Sequence, residues 1–216
     1  MTKTVSDNYK EILETAKNYN VTIIAVTKYY DETKIIEAYK AGLSNFGESR
    51  ALEAVEKINK LDDEIRTNSA YHFIGHLQTN KVKHIIGTFD YIHSVDSKKV
   101  ALEINSCAKK ANKVQKVLIQ VNNANEEAKF GIAPSQLNEL IEEIKEMDSL
   151  ELVGLMNIAP LLDDKKELEK LFLQMRALKD EYNLCELSMG MSNDYKIALD
   201  CGATMIRLGR ILFKNS

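Results

Sequence analysis

Lys28 stands at the tip of an apolar run, "VTIIAVTKYY" (residues 21–30). Val21, Ile23, Ile24, Ala25 and Val26 read as a strand buried on both faces, and such a strand has no structural use for an ammonium at its end. Two readings are open. One is an ordinary lysine whose stem lies along a rim while its head reaches water. The other is an amine in a partly desolvated pocket, available to form an imine with a carbonyl compound. A second chemistry sits near the C-terminus. "LSMGMSNDYKIAL" places a glycine and a serine between a strand and a helix. Ser192-Asn193-Asp194 has the composition of a helix N-terminal cap, whose first backbone N–H groups are unpaired and suit an anion such as phosphate. In "IRLGR", Gly209 lets backbone approach an anion closely. Plain capping and a corner glycine would explain the same residues without a ligand. Arg207 lies between Ile206 and Leu208, so strand alternation turns it the opposite way from both. If those two pack outward, the guanidinium points inward, where burial is costly unless it is paired. A structural salt bridge is the other explanation.

The four histidines, His72, His76, His84 and His93, have no cysteine partners, and His72 and His76 straddle a strand-to-helix junction. They read as strand and rim residues rather than metal ligands. No Ser-His-Asp or nucleophile-elbow pattern is present. Cys107, Cys185 and Cys201 show no paired spacing, which fits a reducing compartment. Cys185 and Cys201 lack a basic neighbour in sequence and read as core.

The elements that must position these residues alternate along the whole chain. Strands are expected at 21–27, 44–47, 71–75, 89–95, 115–121, 150–156, 185–189 and 204–209. Helices are expected at 31–41, 48–60, 77–86, 97–111, 135–147, 164–182 and 193–200. A further helix at 6–19 carries Tyr9, Ile12, Leu13, Ala16 and Tyr19 at the 3.6-residue period. Alternation of this kind builds a parallel sheet, and eight units point to an α/β fold of the (β/α)8 TIM-barrel type with an extra N-terminal helix. That helix would cover the seam between strands 8 and 1. An open doubly wound sheet is the rival, but it usually carries a glycine-rich turn after strand 1, where this chain has "KYYDE".

In a parallel barrel the strand C-termini share one face. That face would collect Lys28; Asn45, Glu48 and Ser49; His76 and Gln78; His93, Ser94 and Asp96; Asn122 and Lys129; Met156 and Asn157; Ser188 and Ser192; and Arg207, Gly209 and Arg210.

The chain has 216 residues, 44% of them hydrophobic, enough for one sizeable core and one domain spanning 1–216. A net charge of −3, with lysines interspersed among acids, excludes the basic footprint of a nucleic-acid binder. The N-terminus has no signal-peptide core, and no apolar run approaches ~18 residues. A cytoplasmic protein is expected, with no membrane partner, and the acidic, mixed surface fits a monomer.

The strings "AVTK", "FGES", "HFIGHLQTNK", "HSVDS", "LIQVN", "AKFGI", "GLM" and "LSMGMSNDY…GATMIRLG" occur in that order. Together, from about residue 20 to 213, they resemble the pyridoxal phosphate homeostasis protein family, which shares the alanine-racemase N-terminal barrel. The resemblance implies pyridoxal 5′-phosphate (PLP) held as a Schiff base on Lys28. It implies phosphate contacts from Ser192 and from the backbone of Gly209 and Arg210, and Arg207 facing the pyridine nitrogen. Lys129 would lie near the ring's phenolic oxygen, and Asn45, Met156 and Ser188 would belong to the pocket. Five features depart from the family pattern: Ser49 replaces asparagine, Tyr30 replaces a second lysine, Arg210 replaces a small hydroxyl residue, Tyr71 stands where tryptophan is common, and "LFKNS" replaces a glycine-containing end.

An electron-sink role for PLP needs a protonated ring nitrogen, usually kept so by a carboxylate. Arginine is always charged and cannot share its proton in that way. The chain also ends about seven residues after Gly209, leaving no length for a second domain that would bring a second base. The resemblance therefore implies a protein that buffers and delivers PLP, with apo PLP-dependent enzymes as possible acceptors. The alternative is a minimal PLP-dependent amino-acid racemase or lyase. A cofactor-free aldolase barrel is a more distant rival, since its imine lysine normally sits on a later strand.

Overall fold

Thr22–Val26 (β1) runs parallel to Met205–Leu208 (β8), with Ile24 opposite Arg207 and Ala25 opposite Leu208. That pairing joins the first strand to the last and closes a barrel of strand order β1-β2-β3-β4-β5-β6-β7-β8, with every neighbour parallel. The remaining strands are β2 (Asn45–Glu48), β3 (Ala70–Phe73), β4 (Tyr91–Val95), β5 (Gln115–Gln120), β6 (Leu150–Met156) and β7 (Glu186–Ser188). The computed structural model describes residues 3–124, 126 and 129–214; Ala128 of "AKFGI" and the last two residues of "LFKNS" lie outside them.

The strands alternate with helices α1 (Val5–Ala16), α2 (Glu32–Lys40), α3 (Ala51–Asn59), α4 (Asp63–Thr67), α5 (Thr79–Ile85), α6 (Lys98–Lys110), α7 (Leu137–Lys145), α8 (Lys165–Glu181), α9 (Tyr195–Asp200) and α10 (Arg210–Phe213). Local chemistry sets several of the starts. Thr4 and Asp7 form a reciprocal capping box on α1, while Asp31 and Asp164 accept from backbone N–H groups at the starts of α2 and α8. Pro134 opens a single 3₁₀ turn ahead of α7. Periodicity did not reveal α4 or α10, because five- and four-residue helices are too short to display it.

α1 takes the expected place at the seam, packing on α10 and α2. Asn8, buried on its inner face, donates through Nδ2 to the carbonyls of Leu212 (2.9 Å) and Lys214 (3.3 Å), and Tyr19 reaches Asp200.

Strand alternation divides the interior into two layers. Ile23, Ala25, Phe46, Phe73, Val117, Ile119, Leu187, Ile206 and Leu208 face outward into one hydrophobic cluster shared with the helices. Ile24, Leu118, Met156 and Met205 are equally buried but stand apart from that cluster, in the barrel's own interior. Gly154 lets β6 and β7 approach, since a Cβ there would lie 2.0 Å from the Glu186 carbonyl oxygen. Cys201 is buried as expected, whereas Cys185 is exposed. Cys185 lies just before β7, where its N–H donates to the Val153 carbonyl (3.1 Å) and its side chain stays on the surface. No helix among the described residues is long and apolar enough to cross a membrane.

Candidate functional site

A cavity of about 370 Å³ opens at the C-terminal ends of β1, β7 and β8, and Lys28, Ser192, Arg207, Gly209 and Arg210 all line it. That volume lies in the range of small-ligand pockets. Closure of the barrel is what brings them together, because Lys28 and Arg207 are distant in sequence and meet only where β1 pairs with β8.

Lys28 is half-buried, its Nζ 5.0 Å from the centroid of the exposed Tyr29 ring. The backbone just before it is held tightly. Thr27 N donates to Gly47 O (3.1 Å), and Thr27 Oγ1 donates to Glu48 Oε1 (2.7 Å). Lys57 Nζ donates both to Thr27 O (2.9 Å) and to Glu48 Oε1 (2.7 Å). Glu48 is 1% and Lys57 9% exposed, so the pair is a buried ion pair, and it clamps the peptide that launches Lys28. Glu48 had been placed on this face from sequence, but Lys57 had no sequence signal beyond its spacing of nine residues from Glu48 into α3.

Arg207 is buried and takes no carboxylate partner within salt-bridge distance among the described residues. It is held instead by neutral acceptors: Nη1 donates to Ser188 Oγ (2.7 Å) and Nη2 to the Asn157 carbonyl (2.7 Å). Burial draws its pKa down to about 10, partly opposed by the charge of Asp194, so it stays a cation at neutral pH. A guanidinium has five N–H donors, and these two bonds leave three for a ligand.

The β7–α9 loop is built around Gly190, whose φ of +90° suits glycine; a Cβ there would also come within 2.6 Å of Ala198 Cβ. The Gly190 carbonyl accepts from Arg207 N (3.0 Å), tying this loop to β8. Asp194 occupies the N-cap position of α9, yet it makes no capping bond there. Its carboxylate turns back to accept from Met191 N, and burial pushes its pKa up. Among the described residues, nothing accepts from the backbone N–H groups of Ser192 and Asn193. Ser192 Oγ accepts from Ile211 N (3.3 Å), which joins this loop to the one after β8. A second cavity of about 520 Å³, shared through Tyr30, Ser192, Asn193 and Arg210, extends from there toward Lys214.

Four of the sequence-derived site residues lie elsewhere. Asn45, Met156 and Ser188 do not line the cavity. Met156 and Ser188 are fully buried within the barrel, and Asn45 Oδ1 meets His72 Nε2 (3.0 Å). Lys129 is at the rim, ion-paired with Glu126 and 3.5 Å from the carbonyl of Ile158, a lining residue. His72 and His93, read from sequence as ordinary strand residues, are bonded to each other inside the barrel, His72 Nδ1 to His93 Nε2 at 2.9 Å. His76 stacks on Phe130, with ring centroids 3.7 Å apart.

The model of the alanine racemase N-terminal domain matches residues 2–216. A pyridoxal phosphate homeostasis protein of Aquifex aeolicus is 41% identical over 197 residues, covering 88% of this chain and 85% of that one. Its counterpart from Synechocystis is 38% identical, covering 95% of each. This chain belongs to the pyridoxal phosphate homeostasis protein family. Among solved members, PipY of Synechococcus elongatus superposes with a TM-score of 0.90 without PLP, at 34% identity, covering 97% of this chain and 99% of that one. The PLP-bound form of PipY superposes with a TM-score of 0.85. An alanine racemase of Clostridium difficile shares the fold at a TM-score of 0.73 and 18% identity; this chain covers 56% of its length.

Proposed function

We propose that this protein binds PLP through the Lys28 amine and serves the cell's supply of that cofactor by holding it and handing it on. The observation that carries the reading is the donor set of one cavity. Its lining residues carry a primary amine, a buried guanidinium that spends two of its five N–H groups on the protein, a serine hydroxyl and two backbone N–H groups without an acceptor among the described residues. The lining carboxylate, Asp194, is already committed to Met191 N. Such a set suits an aldehyde that carries an anionic tail. The relatives' names and the PLP-bound form of PipY support the same ligand.

In this reading Lys28 is joined to the cofactor's aldehyde carbon, with Thr27, Glu48 and Lys57 fixing the direction in which the amine leaves β1. Ser192 and the backbone of the loops after β7 and β8 hold the phosphate. Arg210, on the outer side of the same cavity, adds charge to that end. Arg207 would serve the ring end of the cofactor, and Lys129, at the rim near Ile158, would lie outside the lining. When bound, PLP supplies an electron sink to the degree that its ring nitrogen is protonated. Arg207 is a donor-only cation and cannot provide that proton, which favours storage over turnover. The acceptors are apo PLP-dependent enzymes, the working state is a monomer, and the compartment is the reducing cytoplasm, in keeping with three free cysteines.

The test is an absorbance spectrum of the purified protein mixed with PLP, before and after borohydride, followed by peptide mass mapping. A visible band that borohydride removes, with the added mass on the peptide containing Lys28 and no such product from Lys28→Ala, is the expected result. Protein that retains no visible band once free PLP is removed, and no borohydride-fixed mass on any peptide, would overturn PLP binding. Steady racemisation or decarboxylation of a common amino acid, at several turnovers per second, would overturn the carrier reading in favour of a minimal racemase or lyase.

A further inference from the structure

A line of polar side chains crosses the barrel interior from β2 to β8. Asn45 Oδ1 is 3.0 Å from His72 Nε2, and His72 Nδ1 is 2.9 Å from His93 Nε2. His93 Nδ1 is 3.0 Å from Ser188 Oγ, and Ser188 Oγ is 2.7 Å from Arg207 Nη1. The members come from five different strands, and the last four are at most 4% exposed.

The chemistry of the donors gives this line a direction. A guanidinium can only donate, so Ser188 Oγ accepts from Arg207. The Ser188 hydroxyl proton then has one partner in the line, His93 Nδ1, which must accept it. His93 carries its own proton on Nε2 and donates it to His72 Nδ1. His72 in turn donates from Nε2 to Asn45 Oδ1. The asparagine agrees, because its Nδ2 is directed instead toward Ser44 Oγ, 3.5 Å away. Run the other way, the line would leave the Ser188 proton buried without an acceptor, which carries a full desolvation cost. A second proton on either ring is opposed by burial. Burial draws His72 down to about 3, and burial, His72 and the charge of Arg207 together draw His93 well below the ordinary imidazole value. The remaining groups against the pair are Tyr91, stacked on His72 at 4.6 Å, and Lys116, whose Nζ lies 5.3 Å above the Tyr91 ring.

We propose that His72 and His93 are positioning residues for the cofactor cavity: as Nε2–H tautomers they turn the Ser188 hydroxyl proton away from Arg207, so that its lone pair fixes the guanidinium and leaves the free N–H groups to the ligand. The inference rests on the cavity being a PLP site, but its first test does not. Neither histidine lines the cavity, so their effect on a ligand passes through Ser188 and Arg207.

Long-range ¹H–¹⁵N correlation on histidine-labelled, cofactor-free protein reads the tautomers directly. Both rings are expected as Nε2–H forms; a proton on Nδ1 of His93 would overturn the proposal whether or not PLP binds. PLP titration followed by absorbance then compares two variants. His93→Asn keeps an acceptor near the Nδ1 position facing Ser188, and His93→Leu removes it. The leucine variant is expected to bind PLP at least tenfold more weakly, with a displaced visible band, while the asparagine variant stays within threefold of wild type with the band in place. Equal behaviour of the two variants, both unchanged or both impaired, would overturn the proposal. If wild-type protein shows no PLP band at all, the functional reading fails, and the tautomer result stands on its own. Should His93→Leu fail to fold, Ser188→Ala replaces it and is expected to show the same loss.

Discussion

Acid should destabilise this barrel through two buried rings. His72 and His93 are fully buried and hydrogen-bonded as neutral side chains; burial holds the pKa of His72 near 3 and draws that of His93 well below the ordinary imidazole value. The unfolded chain returns both to about 6.5. The folded values are therefore depressed, so between about pH 6.5 and pH 3 the unfolded state binds protons that the native state refuses. Stability is fully present above about pH 6.5 and falls as pH drops below it, by about 1.4 kcal/mol per pH unit for His72, with His93 acting in the same direction. At about pH 5 that amounts to roughly 2 kcal/mol for His72, and the depressed His93 adds to it in the same direction. For a chain of this size the melting temperature should drop by roughly 4–8 °C between neutral pH and pH 5 from His72 alone. Carboxylates add their own acid dependence, so the informative quantity is a difference. Denaturant unfolding at both pH values should show His72→Asn losing about 2 kcal/mol less than wild type over that interval. Identical pH slopes for the two proteins would refute the reasoning, as would ring signals of His72 or His93 titrating near pH 6.5 in the folded state.

The clamp behind Lys28 offers a second measurement. Lys57→Met leaves the Glu48 carboxylate buried without its cation and should cost about 3–5 kcal/mol in denaturant unfolding, whereas Glu48→Leu combined with Lys57→Met should recover more than half of that loss. A single-variant cost below about 1 kcal/mol would show that the pair is not a buried partnership. Gly190→Ala places a side chain at φ +90° against Ala198, and should lower stability by about 1–3 kcal/mol and weaken PLP binding in the titration assay. Arg210→Ser should weaken PLP binding about two- to fivefold, with the gap shrinking as salt is added, because an exposed charge is screened. A salt-independent effect would mean that Arg210 acts through shape instead of charge.

Much of this protein is legible in its sequence, for a local reason. Strand and helix periods differ, so eight alternations could be counted before any contact was known, and the residue at each strand's end could be named. Lys28, Ser192, Arg207, Gly209 and Arg210 were nominated in that way and do line one cavity. The outward packing of Ile206 and Leu208, with Arg207 turned inward, also follows from a period of two. The short helices α4 and α10 were invisible because they complete too little of a helical repeat. Ser192-Asn193-Asp194 has the composition of a cap, but the fold puts Asp194 at the N-cap position of α9 with its carboxylate turned toward Met191.

Alternation says which side chains point into the barrel and is silent on which of them share a level. Strand register and closure decide that, and both are set by contacts far apart along the chain. Only the closed barrel brings His72, His93 and Ser188 into line with Arg207, and brings Lys57 of α3 against the peptide that carries Lys28. The sequence by itself determined the inventory of reactive groups and the face on which they emerge. The tertiary structure alone decided their partners, because a hydrogen bond depends on distances that only the shear and closure of eight strands can fix.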